Sequence, residues 1–268
     1  MRAKSICIAN QKGGVGKTTT AVNLAASLST LNKKTLLIDI DPQGNAASGL
    51  GIKREEIKEN IYHFLIAHLP LQNLVHQTAL PFLEVIPSTL DLIGAEIELV
   101  SIPSREYRLR EGLKKIEEGY DYIIIDCPPS LGLLTINSLT AADTVLIPIQ
   151  CEYYALEGLS QLLATIRLVK KNLNPDLRIE GILLTMFDRR NNLSHQVAAD
   201  IKNNLAGKVN VYGVIIPRSV RLAECPSFGK PILLYDENSP GARCYLELAH
   251  IINKVNKGDG FNEKDSIR

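Results

Sequence analysis

Lys12, Lys17 and Thr18 are gathered around a run of glycines near the start of the chain, in Asn10-Gln11-Lys12-Gly13-Gly14-Val15-Gly16-Lys17-Thr18-Thr19-Thr20. The run before it, Ser5-Ile6-Cys7-Ile8-Ala9, has strand composition, and the small residues behind it, Ala21 to Leu28, suit a buried helix. Strand, glycine-rich turn and helix together form the setting of a phosphate loop. Glycines let backbone N–H groups close around a phosphate, and the helix N-terminus adds partial positive charge. In that setting Gly13, Gly14, Val15, Gly16 and Thr19 form the cradle. Lys17 neutralises β- and γ-phosphates, and the Thr18 hydroxyl ligates Mg²⁺. A glycine turn that binds nothing has no use for Lys-Thr at the helix start. Gln11 stands where the usual pattern has its first glycine, and Lys12 is a second lysine.

Two acidic stretches follow. Asp39 and Asp41 sit at the end of Leu36-Leu37-Ile38-Asp39-Ile40-Asp41-Pro42-Gln43-Gly44-Asn45. That is the carboxyl edge, where open α/β sheets bind ligands. Asp41 either orients an attacking water beside a γ-phosphate or, with Pro42, simply starts a turn. Asp39, on the same face one pleat earlier, reads as an outer partner of the metal site. Asp126 ends Tyr122-Ile123-Ile124-Ile125 and precedes Cys127-Pro128-Pro129. An acid ending an apolar strand is costly to bury without a partner. A Mg²⁺ water shell shared with Thr18 supplies one, whereas a helix N-cap is a poor reading because two prolines follow.

The elements that must position these residues alternate. Strands are expected at about 5–10, 34–39, 83–87, 122–126, 144–149, 179–185 and 211–216. Helices are expected near 18–31, 105–117, 131–142, 155–172, 193–205 and 241–255. The strands are apolar on both faces, as parallel strands covered by helices should be. The expected fold is therefore α/β: a doubly wound, mostly parallel sheet with helices on both faces. Residues 1–256 read as one domain and 257–268 as a polar, frayed tail. Residues 49–100 are the least legible; Ile61-Tyr62-His63-Phe64-Leu65-Ile66 reads equally as a helical turn or a strand. His63, His68 and His76 lack metal-ligand spacing and read as ordinary surface or core histidines.

The 268 residues carry a net charge of only +1, so nucleic-acid binding would need a local basic patch. The five cysteines, Cys7, Cys127, Cys151, Cys225 and Cys244, lack a C-x-x-C pair and read as reduced thiols of a cytoplasmic protein. The first strand begins too early for a signal peptide. No apolar run approaches the roughly 20 residues of a membrane span.

The phosphate loop with Lys12, together with four other stretches, resembles the ParA/Soj type of the ParA/MinD superfamily, whose loop is a deviant Walker A motif. The four are Asp41 to Asn45, Cys151 to Gly158, Leu184 to Asn191 and Ile216 to Glu224. The resemblance, from about 5 to about 250, implies a P-loop ATPase that uses ATP and Mg²⁺ and drives chromosome or plasmid partitioning. It implies that Lys12 reaches across a homodimer to the partner subunit's nucleotide; the bland alternative is a solvated loop lysine. It implies adenine recognition by the segment containing Pro217 and Arg218. The string Asn256-Lys257-Gly258-Asp259 matches a guanine signature, but it follows a helix, not an apolar strand, and is read as chance. The family binds non-specific DNA and answers to a ParB-type centromere-binding protein. Arg190, Arg218, Arg221 and Arg189, with Lys170 and Lys171 on a preceding helix, form the expected DNA patch; scattered solvated arginines are the alternative. Hydrolysis is expected to be slow, because no arginine finger is evident.

The resembling chains work in the cytoplasm on the nucleoid, with no membrane partner. A MinD-like membrane-associated ATPase is the alternative, but a tail with glycines and acids does not make its amphipathic helix. A metallocofactor reductase would need cysteines bridging the dimer, and Cys127 and Cys151 are not in that pattern.

Overall fold

The computed structural model describes residues 2–152, 155–205, 207 and 209–256, with only the helical backbone described for 155–157. The tail from 257, including Lys257 to Asp259 of the guanine-like string, lies outside the described residues, as do Tyr153 and Tyr154.

The strands are β1 (Lys4–Ile8), β2 (Thr35–Asp39), β3 (His76–Gln77), β4 (Leu83–Ile86), β5 (Tyr122–Asp126), β6 (Thr144–Gln150), β7 (Arg178–Phe187) and β8 (Val211–Pro217). They form one sheet in the order β3-β4-β2-β5-β1-β6-β7-β8. Every pairing is parallel except β3 with β4. The helices are α1 (Lys17–Thr30), α2 (Asn45–Gly49), α3 (Ile61–Leu65), α4 (Leu92–Glu98), α5 (Arg108–Leu113), α6 (Leu133–Ala141), α7 (Ala155–Asn172), α8 (Asn192–Leu205), α9 (Val220–Glu224), α10 (Ile232–Tyr235) and α11 (Pro240–Asn256).

Strand side chains alternate between two cores. Ile6, Ile8, Leu37, Ile124 and Leu146 join residues of α1 and α11 on one face. Cys7, Leu36, Ile38, Ile123, Ile125 and Ile147 join α3 to α8 on the other. Both faces are dry, so the central strands carry no polar alternation. The charged residues of β2 and β5 therefore stand only at their carboxyl ends, and Asp39 pairs in register with Asp126.

The illegible stretch contains α2, α3, β3, β4 and α4. Residues 61–65 form a helical turn because Asn60 caps it and the His63 ring accepts from the Asn60 amide. His68 pairs with Arg108, and His76 lies on the antiparallel edge strand β3. The expected helix at 105–117 is shorter: Arg105–Tyr107 is a 3₁₀ turn before α5, and Glu117–Gly119 is another after it. Helix α6 starts at Leu133 rather than 131, where the Glu96 carboxylate accepts the Leu133 and Leu134 amides at 3.0 and 3.4 Å.

One expected grouping is overturned. Helix α7 leaves the carboxyl edge after β6 and must return to the start of parallel β7, so Lys170 and Lys171 in its last turn lie at the opposite edge. Its 18 residues span about 27 Å at 1.5 Å each. These lysines do not join the arginines that follow β7 and β8.

Candidate nucleotide site

The loop from Ala9 to Gly16 joins β1 to α1 at the carboxyl edge of the sheet. Asn10 pins its entry: the side-chain amide donates to the Pro148 carbonyl at 2.8 Å, and its oxygen accepts the Lys12 amide at 3.0 Å. The Thr185 hydroxyl, near the end of β7, donates to the Val15 carbonyl at 2.9 Å. Gly16 turns the chain into α1 at φ 84°, a backbone that favours glycine. Gly13 and Gly14 have open space where side chains would begin. Open space over a glycine-rich turn at a helix start is what a phosphate cradle needs.

Lys17, 6% exposed, lies beneath the cradle. Its ammonium donates to the Lys12 carbonyl at 3.1 Å. Burial lowers its pKa, and the nearby Asp126 opposes that. Asp126 is fully buried, and neither carboxylate oxygen has a hydrogen-bond partner among the described residues. Burial first, and Asp39 second, hold its pKa well above the usual carboxylate range, while the Thr18 hydroxyl pulls the other way. Two orphaned oxygens beside a threonine hydroxyl suit a hard cation, so the residues present fit Mg²⁺. No group of three or more His, Cys, Asp or Glu converges on a metal among the described residues. A cation here would complete its shell from water and substrate.

Asp39 differs from its neighbour. Its two oxygens accept the Asp41 and Ala46 amides at 3.0 and 2.9 Å. Burial nonetheless pushes its pKa up to about 7, against those hydrogen bonds and with a further push from Asp41. Asp39 thus shapes the Asp41 loop. Asp41 accepts the Gln43 amide on one oxygen at 3.0 Å, and its carbonyl accepts the Ser88 hydroxyl and the Gly44 amide. Gly44 stands at φ 64°, and a Cβ there would lie 2.6 Å from the Ser88 carbonyl. The loop is closed on Ser88 so tightly that only glycine fits.

The Lys12 ammonium meets Glu152 at 3.0 Å. Beside the loop, Gly16, Thr19, Thr185, Met186, Pro217 and Arg218 help to line a mostly apolar cavity of about 280 Å³ that also reaches Tyr245. Apolar walls next to a phosphate cradle suit a nucleobase.

A family model described as an AAA domain matches residues 3–179. The chain is 62% identical over 249 residues to the chromosome partitioning protein ParA of Myxococcus xanthus, covering 93% of this chain and 87% of that one. It is 59% identical over 246 residues to the sporulation initiation inhibitor protein Soj of Bacillus subtilis, covering 92% and 96%. The chain belongs to the ParA/Soj family of chromosome-partitioning ATPases. Among solved structures, cobyrinic acid a,c-diamide synthase from Mycobacterium smegmatis with bound ADP and magnesium superposes at a TM-score of 0.85. It is 34% identical and covers 96% of this chain and 97% of its own.

The expected arginines of this ParA/Soj chain divide. The amide of Arg218 donates to the Phe187 carbonyl at 3.0 Å, so the ends of β7 and β8 bring Arg189, Arg190 and Arg218 to one edge. Arg190, 91% exposed, folds onto Asp188 at 3.3 Å. Arg221 is paired with Glu224 at 3.0 Å and Asp236 at 3.7 Å, so its charge is already compensated. Asn10, Ser88, Glu152, Thr185 and Met186 escaped sequence reasoning as site residues. Glu152, Thr185 and Met186 lay in stretches quoted only for resemblance, Asn10 stood at the head of the phosphate-loop stretch without a role of its own, and Ser88 carried no local signal. Met186 adopts φ 50°, a left-handed conformation that is costly for an unbranched bulky residue.

Asp126→Asn removes a buried, unpartnered charge of about 1–2 kcal/mol. The nucleotide-free variant is expected to melt roughly 2–6 °C above wild type at pH 8, at a few degrees per kcal/mol. A folded-state pKa above the unfolded value costs stability as pH rises between the two. Calorimetry should therefore find the gap closing as pH falls toward 4, the ordinary carboxylate value. Gly44→Ala should cost about 1–3 kcal/mol, and lower ATP turnover more than ATP binding, measured by steady-state kinetics and titration.

Proposed function

We propose that this ATPase works as an ATP-gated homodimer that binds DNA without sequence preference and moves a chromosome or plasmid with a ParB-type, centromere-bound partner. Lys12 carries the reading. The Lys17 ammonium already lies on the loop of its own chain, whereas the Lys12 ammonium is held by Glu152, so Lys12 is a second lysine on the loop that its own phosphates need not use. A lysine that serves the partner subunit's nucleotide makes association depend on the γ-phosphate, and hydrolysis then loosens the dimer. A row of apolar side chains supports a covered surface at the same edge. Leu90, Ile93, Ile97 and Val100 are 55–75% exposed along α4 and its flanks. Glu96 of α4 holds the loop that follows Asp126. Exposed rows of this kind mark protein interfaces.

ATP is the substrate, in keeping with the Mycobacterium smegmatis structure that holds ADP and magnesium. Gly13 to Thr19 cradle the phosphates, and Pro217 and Arg218 bound the base cavity. Thr18 and Asp126 would hold Mg²⁺, which supplies charge neutralisation on the phosphate oxygens. Asp41, held in place through Asp39 and Ser88, orients the attacking water. Turnover is slow until the partner protein engages.

No helix among the described residues is long and apolar enough to cross a membrane. We place the protein in the cytoplasm, on the nucleoid. Arg190 and Arg218, then Arg189, are the DNA contacts, and a dimer doubles the set. Arg221 contributes least, because two carboxylates already hold it.

The deciding experiment measures dimerisation and DNA retention of wild type and Asp41→Ala with ATP and with ADP. Asp41→Ala should bind ATP, dimerise and stay on DNA while failing to hydrolyse; rapid turnover by this variant refutes the water-positioning role. Lys17→Ala should lose nucleotide binding. Arg190→Glu and Arg218→Glu should each lose ATP-dependent retention and flatten its salt dependence, and Arg221→Ala should change it little. Unchanged retention of both glutamate variants at low salt removes the arginine assignment.

A further inference from the structure

We propose that Glu152 is a latch in cis, holding Lys12 against its own subunit until a second copy's bound nucleotide competes for the ammonium. The inference rests on the reading of Lys12 as a residue that acts across the dimer, and it names the group that governs when Lys12 is free.

Five contacts support it. Lys12 Nζ lies 3.0 Å from Glu152 Oε2. The other oxygen, Oε1, accepts a hydrogen bond from the Gln150 side-chain amide, so the carboxylate is aimed rather than free. The Lys12 main chain is fixed at both ends, its amide on Asn10 and its carbonyl under the Lys17 ammonium. The neighbouring Gln11 side chain donates to Gln161 of α7 at 2.7 Å. With the backbone pinned, the freedom left to Lys12 is its flexible four-carbon stem. The stem swings between two anionic partners, a carboxylate in cis and a phosphate in trans.

The strength of the pair suits a latch. The two side chains are 37% and 48% exposed, so solvent screens the attraction. A pair of this kind shifts an equilibrium by about 1.5- to 5-fold. It can be displaced by a polyphosphate, which carries more charge and more acceptor oxygens. Two latches open for each dimer formed, so the factor enters the association constant squared, about 2- to 25-fold. Lys12 is thereby kept off stray anions, and its transfer to the partner subunit's nucleotide becomes part of the switch.

The test is sedimentation of full-length protein across a concentration series with Mg²⁺ and a slowly hydrolysed ATP analogue. Wild type, Glu152→Gln, Lys12→Ala and the double variant are compared; Glu152→Gln keeps an acceptor for Gln150. Glu152→Gln should dimerise at roughly 2- to 25-fold lower protein concentration than wild type, and the advantage should shrink as salt is raised. Lys12→Ala should fail to dimerise, and the double variant should behave like Lys12→Ala. If Glu152→Gln dimerises no better than wild type while Lys12→Ala fails, the latch is wrong and the trans role of Lys12 stands. A Glu152→Gln advantage that survives in the Lys12→Ala background also overturns the latch, because Glu152 then acts through another group. Normal dimerisation by Lys12→Ala alone removes the trans reading and the latch with it.

Discussion

The nucleotide site is built around a carboxyl group that the fold buries and does not satisfy. Asp126 stands at the end of a central strand, flanked by β2 and β1, with no hydrogen-bond partner for either oxygen among the described residues. Leaving such a group in a dry interior is among the more expensive things a protein can do. Its neighbour Asp39, in register on the next strand, is equally buried, but both of its oxygens are taken up by backbone amides. One aspartate is engaged by the backbone and the other is left without a hydrogen-bond partner among the described residues. The local register allows the division, because parallel strands place the two carboxylates side by side while the chain after each leaves in a different direction.

Residues close in sequence made the phosphate loop legible. Strand, glycines, lysine and threonine are consecutive, and their chemistry needs no long-range contact. The central strands were legible for a related reason: burial on both faces leaves uninterrupted apolar runs. What sequence could not supply was the company each residue keeps. Ser88 closes the Asp41 loop from 47 positions away. Thr185 braces Val15 across 170, and neither carries a local mark. Strand β3 is two residues long and survives only by pairing with β4, so no periodicity announces it. Lys170 and Lys171 were grouped with the arginines on composition, but the return direction of a crossover helix sends them to the far edge. Nor does sequence show that Glu224 and Asp236 both lie beside Arg221.

Electrostatics at the nucleotide edge shows a recurring pattern: three of its cations are already engaged. Lys17 rests on a carbonyl, Lys12 on Glu152 and Arg190 on Asp188. Such contacts in partly solvated surroundings are weak individually. They order long side chains in advance, so that less conformational entropy is lost when a stronger anion arrives. The net charge of only +1 hides this arrangement, because Lys12 and Arg190 are counted against the acids that hold them.

Met186 has a wider consequence. Its side chain helps to line the cavity beside Gly16 and also a second one bounded by Gln150, Glu152, Asp188 and Arg218. One residue is thus the party wall of two compartments, held in a backbone conformation that resists relaxation. To whatever extent an occupant of one compartment displaces that wall, the affinity of the other changes, and thermodynamic reciprocity requires an equal effect in the opposite direction. Occupants of the two compartments are then entries in a single binding polynomial.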